Sequence, residues 1–186
     1  MKRAFDVVLA LLLGLVLALP MIVTAVAVKL TSKGPVLYWS DRVGRDSVLF
    51  SMPKFRSMRV DTPAIPTHLM TDGRAYLTSI GGLLRRLSLD EFPQLWSILK
   101  GDMSFVGPRP ALFNQDDLMA LRREKGVDRL TPGLTGWAQV NGRDELSIPD
   151  KVALEADYLA RRSFLFDLYI LWLTGLKVLR ASGISH

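Results

Sequence analysis

Two carboxylates stand side by side at Asp90-Glu91, inside the string Ser88-Leu89-Asp90-Glu91-Phe92-Pro93-Gln94-Leu95. Neighbouring carboxylates can divide the work of phosphoryl transfer. One attacks phosphorus, as carboxylates do in aspartyl-phosphate enzymes. The other holds Mg²⁺, a hard cation that takes carboxylate oxygen together with substrate phosphates. Charge spread over the transferring group calls for nearby cations, and Lys54, Arg85, Arg109 and Arg143 are the candidates. The same string also has a purely structural reading. Ser88 with Glu91 matches a capping box, or Asp90 is an N-cap that puts Pro93 at the third helical position, where a missing N–H costs nothing. Spacing alone does not separate the two. Lys100-Gly101-Asp102-Met103-Ser104 and Gly107-Pro108-Arg109-Pro110 follow closely, and Asp102 can serve simply to cap a turn after Gly101.

Composition removes several other chemistries. The chain has no cysteine, which excludes disulfides, thiolate metal sites and cysteine nucleophiles. Its only histidines are His68 and His186, too few for a histidine triad or zinc site. With 186 residues, 49% of them hydrophobic, it suits one domain, or one domain plus an anchor. The net charge of +6 suits nucleic acid, anionic lipid or a phosphorylated substrate without choosing among them. Between Lys29 and Arg59, seven basic residues face two acidic ones, directly after an apolar segment. Anionic headgroups attract such juxtamembrane clusters by roughly 1 kcal/mol per residue.

The elements that must position these groups begin with that segment. Val7 to Val28 holds one polar side chain, Thr24, and its 22 residues would make a straight helix of about 33 Å, close to the roughly 30 Å hydrocarbon layer. A single spanning helix is one reading. Pro20 lies mid-run and favours a kink, while Lys2 and Arg3 before the run and Lys29 and Lys33 after it pull both flanks toward the cytoplasm. A re-entrant helix-break-helix that dips into one leaflet satisfies both flanks. Phe164 to Leu179, interrupted by Asp167 and Lys177, is too short and charged to span, and reads as an interfacial or a core helix.

Between these segments, Val36–Trp39 and Val48–Met52 read as a strand hairpin turning near Gly44. Asp61–Asp72 reads as loop, Leu77–Leu87 and Asp90–Leu99 as helices, and Gly107–Pro110 as irregular backbone. Asn114–Lys125 is expected as helix, Leu130–Arg143 as a glycine-rich loop with a short strand, and Ile148–Arg162 as a helix starting at Pro149 or Asp150. Trp137 is expected in the core, with Gln139 and Asn141 holding their loop by hydrogen bonds.

Taken together, Lys54-Phe55-Arg56-Ser57-Met58, Leu84-Arg85-Arg86-Leu87-Ser88-Leu89-Asp90-Glu91, Lys100-Gly101-Asp102-Met103-Ser104, Gly107-Pro108-Arg109-Pro110 and Pro132-Gly133-Leu134-Thr135-Gly136-Trp137-Ala138-Gln139-Val140-Asn141-Gly142-Arg143 resemble the bacterial sugar transferase family, the monotopic phosphoglycosyl transferases. The resemblance covers essentially the whole chain, including the apolar N-terminus with its central proline, although Leu19 precedes that proline where characterised relatives often carry serine. It implies that Asp90 attacks the β-phosphate of a UDP-sugar and releases UMP, and that polyprenyl (undecaprenyl) phosphate then takes the sugar-phosphate from the enzyme. It implies Glu91 as the Mg²⁺ ligand, Arg109 and Arg143 as nucleotide-sugar or phosphate contacts, and Lys54 and Arg85 in motifs near the membrane surface. The expected architecture is α/β and helix-rich: a re-entrant anchor over 1–32, then a catalytic domain over 33–186 with a small antiparallel sheet and interfacial amphipathic helices. The expected location is the cytoplasmic face of a bacterial inner membrane, with both termini cytoplasmic, membrane lipid as a partner and no nucleic acid. A homodimer stays open. The competing readings are a non-catalytic membrane scaffold and an anionic-ligand binding module.

Overall fold

The computed structural model describes residues 1–62, 73–142 and 145–180. Its N-terminal apolar run folds as two helices, α1 (Lys2–Val16) and α2 (Ala18–Thr31), bent by 63° at Leu17. In a straight helix the ring of Pro20 would strike the carbonyl of Val16, four residues back. Ending α1 at Val16 removes that clash and leaves Pro20 in the first turn of α2, where no N–H is needed. The break therefore precedes the proline rather than coinciding with it. Backbone bonds carry through the bend, Leu17 N–H to Leu13 O and Met21 N–H to Leu17 O, both at 2.8 Å, so the turn closes without the hydroxyl that Leu19 lacks. Among the described residues no single helix is long and apolar enough to cross a membrane, whereas this bent pair is by length and composition.

Five strands are described: β1 (Leu37–Val43), β2 (Leu49–Phe55), β3 (Ser104–Val106), β4 (Ala111–Leu112) and β5 (Gly133–Thr135). β2, β1 and β4 form an antiparallel sheet in that order, with Leu37 opposite Phe55 and Val43 opposite Leu49. The hairpin is longer than its apolar residues suggest. Arg42 and Lys54 extend it, because their side chains find partners on a covered face instead of solvent. Its connection, Arg45–Ser47, is one 3₁₀ turn with Asp46 and Ser47 at positive φ. β3 and β5 pair in parallel, so the expectation of antiparallel pairing holds for the hairpin sheet and not for this second pair.

The remaining helices are α3 (Gly81–Arg86), α4 (Leu95–Lys100), α5 (Asp116–Glu124), α6 (Trp137–Val140), α7 (Ile148–Arg161) and α8 (Phe164–Arg180). The expected helix over Leu77–Leu87 is confined to its second half, since Leu77 bridges to Met58 and Thr78 N–H bonds Ser57 O at 3.0 Å. α7 starts one residue early, capped by Ser147, whose Oγ accepts the Asp150 N–H at 3.2 Å. α8 packs one face into the core and leaves the other exposed. Phe166, Asp167 and Ile170 are buried, while Leu165, Trp172 and Val178 are exposed. Trp137 packs against Phe166 and Tyr169, and Asn141 Nδ2 holds the α6 turn through Trp137 O at 2.7 Å, whereas the Gln139 amide, expected to share that role, is buried without a hydrogen-bond partner. The Asp61–Asp72 expectation falls mostly outside the described residues.

Both ends of the bent pair are fastened to the globular part. At the start of α1, Lys2 Nζ donates to Val106 O at 3.0 Å and pairs with Asp167 at 2.6 Å, which also accepts the Tyr158 hydroxyl. Arg3 donates to the carbonyls of Ile98 and Leu99, and buried Asp6 accepts the Phe105 N–H at 3.1 Å. After α2, the buried Arg56 guanidinium donates to Ser32 Oγ, Lys33 O and Pro35 O. Ala10 of α1 joins the main core around Ile98, Met103 and Ile170, and Val28 of α2 packs with Phe55 and Leu84. The basic cluster after the anchor is thus only partly a surface feature. Arg42, Lys54 and Arg56 turn inward, leaving Lys29, Lys33, Arg45 and Arg59 exposed.

Candidate active site

Asp90 and Glu91 lie within a 3₁₀ helix, Leu89–Gln94, that runs directly into α4. Neither capping arrangement is present. Ser88 adopts the left-handed conformation, φ 55°, and makes no side-chain cap bond, and the helix already begins at Leu89, ahead of Asp90. The 3₁₀ geometry instead sets Glu91 and Gln94, three residues apart, one above the other on a single face.

That face meets the hairpin sheet. Alternation along β1 and β2 puts Arg42, Met52 and Lys54 on one side of the sheet, and with Glu91, Gln94 and Arg109 they line a small cleft closed by Gly133 and Leu134. Lys54 Nζ is 3.1 Å from Glu91 Oε1 and Arg109 Nη2 is 3.8 Å from the same oxygen. Arg42 donates to Ser40 Oγ at 3.0 Å and to Pro110 O at 3.3 Å. Burial beside Arg109 lowers its pKa to about 10, so it stays cationic at neutral pH.

Asp90 is buried, at 7% exposure. Burial raises its pKa above the ordinary 3.8, and adjacent Glu91 pushes the same way, while Lys54 and Arg85 pull against them. Burial likewise lowers the pKa of Lys54, partly offset by Glu91 and Asp90. Arg85 approaches from α3, held by Ser57 Oγ at 3.1 Å and by Met58 Sδ, and its nearest acidic influences are Asp90 and Glu91. Five of the six expected cations and carboxylates therefore gather as two subsets: Lys54 and Arg109 about Glu91, and Arg85 with Lys54 about Asp90. Arg143 lies outside the described residues.

The loop carrying Arg109 is placed by backbone contact. A Cβ on Gly133 would lie 2.1 Å from Gly107 N, and one on Gly136 would lie 2.1 Å from Gly107 O. Only glycine lets the Gly107–Pro110 and Pro132–Gly136 segments approach this closely. From behind, Arg122 Nη2 donates to Arg109 O at 2.9 Å while pairing with buried Glu155 at 2.5 Å.

Two cleft residues escaped the sequence reading. Arg42 becomes visible once the first strand is extended by alternation through Ser40, and Gln94 once three-residue spacing is counted from Glu91. Among the described residues no cluster of three or more metal-ligating side chains occurs.

Three cations gathered around one of a pair of adjacent carboxylates, in a cleft closed by glycine, suit an anionic group. The family model described as bacterial sugar transferase matches residues 1–181, and the chain belongs to that family. It is 41% identical over 188 residues to the "uncharacterized sugar transferase EpsL" of Bacillus subtilis, covering all of this chain and 91% of that one. It is 41% identical to the undecaprenyl-phosphate glucose phosphotransferase of Komagataeibacter xylinus, over 93% of this chain and 35% of that protein. With the UDP-glucose:undecaprenyl-phosphate glucose-1-phosphate transferase of Escherichia coli it shares 38% identity, over 95% of this chain and 40% of the other. The chain thus spans well under half the length of the latter two.

Proposed function

We propose that this protein moves a sugar-1-phosphate from a UDP-sugar to polyprenyl phosphate at the cytoplasmic face of a bacterial inner membrane. A carboxylate oxygen of Asp90 attacks the β-phosphorus, and the bond to the bridging oxygen breaks. UMP leaves with that electron pair, and the sugar-phosphate stays on Asp90 as an acyl phosphate. A phosphate oxygen of the lipid then attacks the same phosphorus, Asp90 departs as carboxylate, and polyprenyl diphosphate-sugar is released. Lys54, Arg109 and Arg42 hold the diphosphate and offset charge on the transferring group, Arg85 steadies the Asp90 carboxylate, and Arg143 is assigned to the nucleotide by its motif. The observation that carries the reading is the Asp90-Glu91 pair, freed of any capping role and set against half-buried cations.

Mg²⁺ fits this donor set. It is commonly held by one or two carboxylates with waters and substrate phosphates completing its shell, and Glu91 faces the cleft with oxygen ligation to offer. Bound there, it would neutralise phosphate charge.

The bent pair supports a re-entrant anchor. Its two ends are fastened to one body, and its bend is apolar and bare, with Leu15, Val16 and Leu19 each at least 70% exposed. Exposed Leu87, Trp96 and Trp172 supply further apolar groups for an interface. The test is UMP release by detergent-purified protein with Mg²⁺, undecaprenyl phosphate and a panel of UDP-sugars. UDP-glucose comes first, because relatives carry glucose in their names. Release that needs one donor and is lost in Asp90→Asn supports the reading. Folded protein silent across the panel favours a scaffold instead.

A further inference from the structure

Gln94 is 3% exposed and lines the cleft, and its side-chain Nε2 has no hydrogen-bond partner. A buried amide left unpaired costs free energy, and such groups are rarely tolerated without a reason. The neighbours it could serve are charged. Arg42, Lys54 and Arg109 line the same cleft, and Glu91 sits one 3₁₀ turn before it on the same face. The one acceptor among them, Glu91, is taken up by Lys54 at 3.1 Å and Arg109 at 3.8 Å, and none of the cations can accept a proton, so the amide is left for an acceptor that is not part of the protein. An oxygen held by three cations beside a nucleophilic carboxylate belongs to a phosphoryl group.

We propose that Gln94 is a substrate-binding residue whose Nε2 donates to a non-bridging oxygen of the phosphoryl group being transferred. The inference rests on the transferase reading above and adds a neutral donor to its cationic cradle. A neutral donor has a distinct use. It can follow the oxygen through both half-reactions without adding a charge that would hold the departing UMP.

The proposal separates activity from stability. Gln94→Met keeps the volume and removes the amide, so the ligand-free protein loses an unsatisfied group and no bond. The expected result is a thermal midpoint equal to or above that of the parent, with kcat/KM for UMP release reduced about ten- to hundredfold, the range for a hydrogen bond to a charged group. Gln94→Glu sets a carboxylate against phosphate and should fall further than Gln94→Met. A midpoint that drops in Gln94→Met would mean that the amide supports the fold, for example through water, and would overturn the proposal. Full activity in Gln94→Met would overturn it too. If Gln94→Glu is more active than Gln94→Met, the group contacts a sugar hydroxyl and the phosphoryl assignment is wrong. A parent protein that releases no UMP from any donor would sink the transferase reading itself, whereas an active parent with an unaffected Gln94→Met sinks only this inference.

Discussion

At the scale of single residues, the site holds Asp90 in a state the folded chain disfavours. Burial raises its pKa, and Lys54 and Arg85 recover only part of the ionised form. A carboxyl whose folded pKa lies above its unfolded value contributes stability that is present at low pH and lost as pH rises through the folded value. Asp90→Asn removes that loss. Its thermal midpoint should match the parent under acid conditions, rise above it as pH passes beyond the ordinary carboxylate range, and level off thereafter. UMP release should fall by about a thousandfold or more, as for loss of a nucleophile. A uniformly destabilised Asp90→Asn would show instead that the carboxylate is a structural anchor. Lys54 gives a second prediction from the same balance. Because its ammonium lowers the Asp90 pKa, Lys54→Gln should move the acid limb of the kcat/KM profile to higher pH, which a loss of binding alone would not do. An unchanged limb, with only the plateau lowered, would remove Lys54 from the ionisation of Asp90.

At the scale of elements, the cleft depends on loops that meet backbone to backbone. Gly133→Ala would drive a methyl into Gly107 N at 2.1 Å, with no flexible side chain to yield, and should cost about 3 kcal/mol. Gly82→Ala in α3 meets only Leu77 Cδ1 at 3.8 Å and should be neutral or gain up to about 1 kcal/mol, the usual helical preference. Denaturant midpoints of the pair test this, and equal effects would mean that the Gly107–Gly133 approach can relax. These contacts also mark the limit of what sequence pattern carries. Local signals were readable: the proline that bends the N-terminal run, the proline that opens α7, the prolines that keep Gly107–Pro110 irregular. Asp90-Glu91, Lys54 and Arg109 were candidates by residue type, and what weighted them as chemistry was the resemblance of their motifs to the family. The parallel pairing of β3 with β5 was not readable, since three-residue strands have too few side chains to show a period, and a contact between glycines leaves no side-chain trace. Arg42 and Gln94 were hidden for a related reason. Their roles come from the register of β1 on β2 and from a 3₁₀ rather than α-helical turn, and neither is set by composition.

At the scale of the whole molecule, the question is how the anchor sits relative to the body it serves. A spanning helix would carry Lys2 and Arg3 to the far side of the bilayer, strip Asp6 and the carbonyls of Ile98 and Leu99 of these partners, and leave Asp167 with Tyr158 alone. Asp6 and Asp167 are nine-tenths or more buried, and stripping one partner from a buried pair costs about 3–5 kcal/mol. The re-entrant path keeps all of these contacts and asks only that the bend at Leu17 enter the apolar layer. The chain has no cysteine, so single substitutions report unambiguously. Met1→Cys, Lys33→Cys and Leu15→Cys can each be treated in intact cells with a maleimide that cannot cross the inner membrane, and again after permeabilisation. The re-entrant anchor predicts no labelling of any site from outside, labelling of Cys at positions 1 and 33 once the membrane is opened, and protection of position 15 until detergent is added. Labelling of position 1 from outside, with position 33 still protected, would establish a spanning helix and require the Lys2–Asp167 pair to be broken in the cell. Because that pair and Tyr158 share Asp167, such a result would also predict a loosened α7–α8 packing, measurable as faster amide exchange there than in the detergent-purified protein.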